Sequence, residues 1–157
     1  MADSRAPLYE HRLRRRVQFH ETDAAGLVHF SAFFRYMEEA EHALWREAGL
    51  SISPPDSPIG WPRQEAGFAY HRPLRFEDEF EIHIRITAVE EQKIRYLCVL
   101  HKDGKKIATG TLTIVCVTKR PGEAMRATPI PPEIAARFRA DPEAATGAPP
   151  LTLEERS

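Results

Sequence analysis

The chain has 157 residues, with 22 lysines and arginines against 23 aspartates and glutamates, a net charge of −1. That length suits one domain, whose core removes roughly 68–70% of the unfolded chain's surface from water without a metal or disulfide staple. The near-neutral balance argues against a dedicated nucleic-acid binder, whose footprint is basic, and no apolar run approaches the ~18 residues of a membrane span.

Residues 1–12 read as a flexible N-terminal arm, polar and basic with no apolar stretch of the secretory type. Residues 13–20 alternate as a strand, with Leu13, Arg15, Val17 and Phe19 on one face and Arg14, Arg16, Gln18 and His20 on the other. The arginines at 12 and 14–16 read as a solvated strand face and its lead-in. Glu21 to Gly26 has turn composition.

From Phe30 to Ala48 the period changes. Phe30, Phe33, Met37, Ala40, Leu44 and Ala48 form one helical stripe, and Phe34, Tyr36 and Trp45 widen it. So wide a stripe predicts a helix covered over most of its girth. Ser31 is the expected N-terminal cap and Gly49 the C-terminal stop. Glu38, Glu39 and Glu41 are expected on its less buried side. Residues 50–63 hold Pro54, Pro55, Pro58 and Pro62 and read as a long stiff loop, with Trp61 as pocket wall or core residue.

Beyond the loop the period is two. Strands are predicted at 67–70, 79–86 (Phe80, Ile82, Ile84 and Ile86 inward), 93–101 and 105–118. Asp103-Gly104 predicts a type I′ hairpin in which Lys102 faces Lys105, Cys98 faces Thr109 and Cys116 faces Glu91. The two cysteines are not opposed, and with no C-x-x-C they fit a reducing, cytoplasmic compartment rather than a disulfide or zinc framework. A short helix is expected over 132–140, closing a domain of 13–140, and a disordered tail over 141–157.

One strand, a long apolar helix and four antiparallel strands make an α+β domain. Burying such a helix predicts a five-stranded antiparallel sheet curved about it, with a second copy closing the remaining surface.

The segment Val17-Gln-Phe-His-Glu-Thr-Asp-Ala-Ala-Gly-Leu-Val-His-Phe-Ser-Ala-Phe-Phe-Arg-Tyr-Met-Glu, together with Arg72-Pro-Leu-Arg-Phe-Glu-Asp78, resembles the hotdog-fold acyl-CoA thioesterases, in particular the 4-hydroxybenzoyl-CoA thioesterase-like family. The resemblance covers about residues 14–120. It implies a hotdog fold, a five-stranded antiparallel sheet wrapped around a long central helix. It implies hydrolysis of an acyl-CoA to a carboxylic acid and free CoA, with no metal or other cofactor.

The resemblance gives Asp23 the role of general base or nucleophile and the backbone N–H of Phe30 that of oxyanion donor, at a helix N-terminus suited to negative charge. Gly26, His29, Trp61 and Lys93 are the candidate substrate-binding residues. Several short-chain members carry histidine where Phe30 stands, and many carry Asn where Ala32 stands. The phosphate-holding basic cluster of the 4-hydroxybenzoyl-CoA enzyme is reduced here to Lys93. An aromatic residue at position 30 resembles the aryl-CoA members, including 1,4-dihydroxy-2-naphthoyl-CoA thioesterases.

Simpler readings stand beside these. Asp23 alone is a turn aspartate, and His29 alone is a satisfied, partly buried histidine. A hydratase or dehydratase pairing His29 or His71 with a carboxylate is the rival enzyme. A non-catalytic acyl-CoA-binding module is the rival without chemistry, because fold does not fix function. The expected assembly is a homodimer or homotetramer with the pocket at the interface.

Overall fold

A computed structural model describes residues 5–144. Five strands form one antiparallel sheet: β1 (Glu10–Arg16), β3 (Arg63–Tyr70), β4 (Glu79–Val89), β5 (Lys93–Lys102) and β6 (Lys105–Val115), in the order β1-β4-β5-β6-β3. Three two-residue strands, β2 (Ile59–Gly60), β7 (Val117–Thr118) and β8 (Arg126–Ala127), make a second small sheet. The helix α1 (Ala32–Glu47) packs on β1, β4 and β3, and α2 (Pro132–Ala135) is a single turn.

The alternation in β4 places Phe80, Ile82, Ile84 and Ile86 in the core, each at most 1% exposed. Tyr36, Met37, Ala40, Leu44 and Trp45 of α1 join the same core. The helix stops as its sequence dictates. Gly49 takes φ +81°, its N–H bonds Arg46 O and the Leu50 N–H bonds Trp45 O, the paired bonds of a Schellman motif.

Several local expectations are corrected. β1 runs over Glu10–Arg16 rather than 13–20, because Glu10–Arg12 pair with His83–Arg85. Leu8 also bridges Phe138, so residues 8–12 are tied to the fold rather than forming a loose arm. Phe19 opens a 3₁₀ turn (Phe19–Glu21), and its ring is 74% exposed instead of sharing an inward face with Val17. Phe30 precedes α1 and is 65% exposed, so it is not part of the buried stripe.

Ser31 makes no side-chain cap; its hydroxyl meets His29 Nδ1 at 2.7 Å. Glu41 is fully buried rather than on the solvent side, because Arg63 grips both its oxygens at 2.6 and 3.1 Å. The third strand begins at Arg63, inside the expected loop, and that loop's Ile59 and Gly60 form β2 against β7.

The β5–β6 hairpin turns at Asp103 and Gly104, both at positive φ, and Lys102 faces Lys105. An irregularity at Leu100/His101 then shifts the register by one, so Cys98 faces Gly110 rather than Thr109. Ile107 is the extra residue, and its carbonyl accepts the His71 and Arg72 N–H groups at 2.8 and 3.0 Å. That bulge is what turns the chain at the end of β3. Asp141 is 5% exposed and its N–H bonds Ile86 O, so the segment 141–144 is docked. Residues 145–157, the rest of the expected tail, lie outside the described residues. Among the described residues no helix is long and apolar enough to cross a membrane.

Candidate active site

Asp23 sits in a tight turn closed by a Thr22–Val28 bridge. Its N–H bonds Leu27 O at 2.7 Å, and its Oδ1 accepts the Ala25 and Leu27 N–H groups at 2.8 and 3.1 Å. Gly26 takes φ +82° and returns its N–H to Asp23 O. One carboxylate oxygen is therefore occupied in shaping the turn, as the plain turn reading requires. Oδ2 makes no hydrogen bond among the described residues, which leaves it available to a ligand. The turn thus occupies one oxygen and leaves the other open.

The segment leading into α1 is irregular but closely bonded. The Val28 N–H bonds Leu74 O, the His29 N–H bonds Glu21 O, and the Ala32 N–H bonds His29 O. The Ser31 N–H points to His29 Nδ1 at 3.2 Å, so that nitrogen is an acceptor and the neutral ring carries its proton on Nε2. The Phe30 N–H donates to no acceptor among the described residues. A free donor two residues before a helix of 16 residues is where negative charge is favoured.

Asp23 and Phe30 line a common cleft of about 350 Å³, together with Phe33, Tyr70, His71 and Leu74. Asp23 is the carboxylate on its wall. Gly26 belongs to the same turn. His29 faces a neighbouring polar cleft of about 470 Å³ with Arg15, Glu21 and Arg35, while its ring stacks on Phe30 at 4.6 Å.

Trp61 and Lys93 are placed elsewhere within the chain. Trp61 is 9% exposed and packs edge-on against Trp45, 5.1 Å between centroids. Lys93 faces Val115 at one end of β6, whereas the cleft's Tyr70 faces Ala108 at the other. At ~3.4 Å per residue those two points of β6 are about 24 Å apart.

Beneath the turn, Arg15 lies not on the solvated face that its sequence pattern predicts but in a charged network. The Arg15 guanidinium reaches both oxygens of Glu21 at 2.8 and 2.5 Å, and its Nε lies 2.7 Å from Glu39. The same guanidinium covers the Tyr36 ring at 4.7 Å, and the Tyr36 hydroxyl donates to Glu21. Burial would lift the Glu21 carboxyl. The Arg15 guanidinium, the Gln18 N–H and the Tyr36 hydroxyl more than offset it and hold the group below the usual carboxylate range. Burial also raises the Tyr36 hydroxyl. Glu21 is thus a fixed anion whose own backbone carbonyl holds His29 in place.

Tyr70 and Glu21 are the candidate-site residues that the sequence did not single out, and His71 entered only as the histidine of a rival hydratase. The one available signal was the strand end, Ala69-Tyr70-His71, just before Pro73, where a chain must leave its sheet.

Comparison with known proteins gives the family. The model of the thioesterase-like superfamily matches residues 17–138. A protein of Aquifex aeolicus (strain VF5) bearing a provisional esterase name is 35% identical over 107 residues, covering 68% of this chain and 83% of its own length. A 1,4-dihydroxy-2-naphthoyl-CoA hydrolase of Prochlorococcus marinus (strain NATL1A) is 27% identical over 114 residues, covering 67% of this chain and 76% of its own. The solved structure of a gentisyl-coenzyme A thioesterase superposes with a TM-score of 0.71 at 30% identity, covering 79% of this chain and 98% of that one. The chain belongs to the thioesterase-like superfamily and is a thioester hydrolase of the hotdog fold.

Proposed function

We propose that the protein hydrolyses acyl-CoA thioesters to a carboxylic acid and free CoA in the cleft bounded by Asp23 and Phe30. The observation that carries this reading is that Asp23, whose Oδ2 is unoccupied, and Phe30, whose N–H is unpaired among the described residues, line one cleft. As a general base, Asp23 takes a proton from water as the water oxygen attacks the thioester carbon. The carbonyl oxygen gains the negative charge and is met by the Phe30 N–H. The C–S bond then breaks, and the CoA thiolate leaves with the proton that Asp23 held.

Aromatic acyl groups are the proposed substrate class. Phe30, Phe33 and Tyr70 wall the cleft, and two of the relatives are named for aromatic acyl-CoAs. Gly26 keeps the turn that presents Asp23, and His29 contributes through its stack on Phe30.

We place the working unit in a homodimer or homotetramer in the cytoplasm, with α1 as the long central helix of each sheet. The exposed rings of Phe19, Phe30 and Phe76 support the assembly, and the two free, buried thiols support the compartment. A contact from Lys93 to the CoA phosphates would then come from the second copy, given its distance along β6 from the cleft in its own chain. Trp61, held against Trp45, supports the acyl pocket from the core side at most.

The test is thiol release from short, long and aromatic acyl-CoAs by wild type and Asp23→Asn. Asparagine keeps an acceptor for the Ala25 and Leu27 N–H groups, so the turn persists. Turnover of an aromatic acyl-CoA should fall by about 10²–10⁴-fold. Equal rates from both proteins would remove Asp23 from the chemistry. Hydration of an enoyl-CoA without thiol release would move the reading to a hydratase built on His71, which lines the same cleft.

A further inference from the structure

The Phe30 main chain lies outside every ladder of the sheet and ahead of the regular part of α1, yet its donor must hold a direction. Two peptide units meet at its Cα. The first carries the Phe30 N–H and is held at its opposite edge, where His29 O accepts the Ala32 N–H at 2.9 Å. The second is held at both edges. Its Ser31 N–H points to His29 Nδ1, and its Phe30 O accepts the hydroxyl of Tyr70 at 2.8 Å.

That hydroxyl is the one bond in the set that comes from the sheet. The other bonds on these two peptide units arise within residues 29–32. Tyr70 closes β3 opposite Ala108, and its ring is fixed edge-on to Phe33 at 5.0 Å and stacked along Phe68 at 6.2 Å. Phe68 in turn lies over Gly110, in space that any Cβ there would occupy. Among the described hydrogen bonds, this phenol is the sheet's direct bond to the Phe30 main chain.

We propose that Tyr70 is a positioning residue for hydrolysis: its hydroxyl anchors Phe30 O to the sheet and so fixes the direction of the Phe30 N–H. This rests on the reading of that N–H as the oxyanion donor. A donor displaced by a fraction of an ångström from the developing charge loses part of the ~10²–10³-fold that one such donor supplies. The side chain of Phe30 itself contributes nothing to this, because the anchor acts on its main chain.

Tyr70→Phe removes the hydroxyl and keeps the ring. With benzoyl-CoA as substrate, kcat should fall about tenfold and KM stay within twofold. The affinity for the corresponding thioether, a ground-state analogue with no carbonyl to become an oxyanion, should not change. Hydrogen exchange measured by mass spectrometry on peptides spanning residues 28–34 should speed up about tenfold, with the β4–β5 peptides unchanged. The exchange measurement needs no turnover.

Unchanged exchange over residues 28–34 overturns the proposal. So does a kcat within twofold of wild type, or a parallel loss of kcat and thioether affinity, which would make Tyr70 only a wall of the pocket. Asp23→Asn run beside it separates the two readings. If Asp23→Asn is inactive and Tyr70→Phe is normal, the anchor fails and the thioesterase site stands. If Asp23→Asn is fully active, the site itself is misplaced.

Discussion

Arg15 holds Glu21 through both terminal nitrogens, and Glu21 in turn holds the loop that leads into α1 through its backbone carbonyl on His29. The carboxyl is depressed in the folded protein. Its contribution to stability is therefore complete above the unfolded value near 4.3 and is lost as pH falls through the folded value. Urea unfolding from pH 7 down to pH 3 should show the wild type losing stability below about pH 4.5. Glu21→Gln should cost about 1.5–3 kcal/mol at pH 7, in the range of hydrogen bonds to charged groups, and less at pH 3. A variant penalty that stayed constant across that range would mean the pair is not what Glu21 contributes.

Two glycines near the site are required for opposite reasons. At Gly110 the backbone is ordinary, but a Cβ would lie 2.5 Å from the Phe68 ring. At Gly26 nothing lies within 4 Å of a Cβ, but φ is +82°. Gly110→Ala should cost about 1–3 kcal/mol by overpacking. Gly26→Ala should cost about 1–2 kcal/mol by backbone strain alone. Adding Phe68→Leu should recover part of the first loss and none of the second, a difference that a double-mutant cycle in urea reads directly.

The fold was legible wherever burial has a period. Phe80, Ile82, Ile84 and Ile86 announce β4, and Asp103-Gly104 announces the β5–β6 hairpin. Asp23 and Phe30 were reached through the motif around them, and the structure brings both to one cleft. What the pattern hid were polar groups whose partners are far away in the chain. Arg15 reads as solvated until Glu39, 24 residues on, closes over it. Glu41 reads as surface until Arg63 arrives from β3. The Ile107 bulge left no mark in the alternation, so the register slipped by one beyond it. Trp61 had two readings in the sequence, and only Trp45 across the core decides between them.

Both cysteines are buried free thiols, and burial raises each above its ordinary value. Cys98 faces Gly110 on β6, while Cys116 lies beyond the end of that strand, so they do not pair. A thiol reagent such as dithionitrobenzoate at pH 8 should label neither in the native protein. Both should react on addition of guanidinium, with the same number of thiols whether or not reductant was present beforehand. Rapid labelling of the native protein would place one of them on a surface that opens.

Arg63 is the cation set against the fully buried Glu41, with the Tyr96 hydroxyl, itself bonded to the Trp45 indole at 2.9 Å, in the same pocket. Burial already pushes the Glu41 carboxyl upward, and Arg63 works against that shift. Arg63→Met removes the main counter-charge and leaves the buried carboxylate with the Tyr96 hydroxyl and with His42, 3.8 Å away, a change that costs about 3–5 kcal/mol in comparable buried pairs. The carboxyl then escapes by taking a proton. A group whose folded value is raised favours the folded state below its unfolded value and loses that advantage as pH rises through the folded one. The penalty of Arg63→Met, taken as the difference from wild type at each pH, should therefore be largest at pH 8 and shrink toward pH 5. The double variant Arg63→Met with Glu41→Gln should abolish that pH dependence while keeping volume nearly constant. A penalty that is flat with pH would mean that Arg63 acts through packing rather than through the charge it holds.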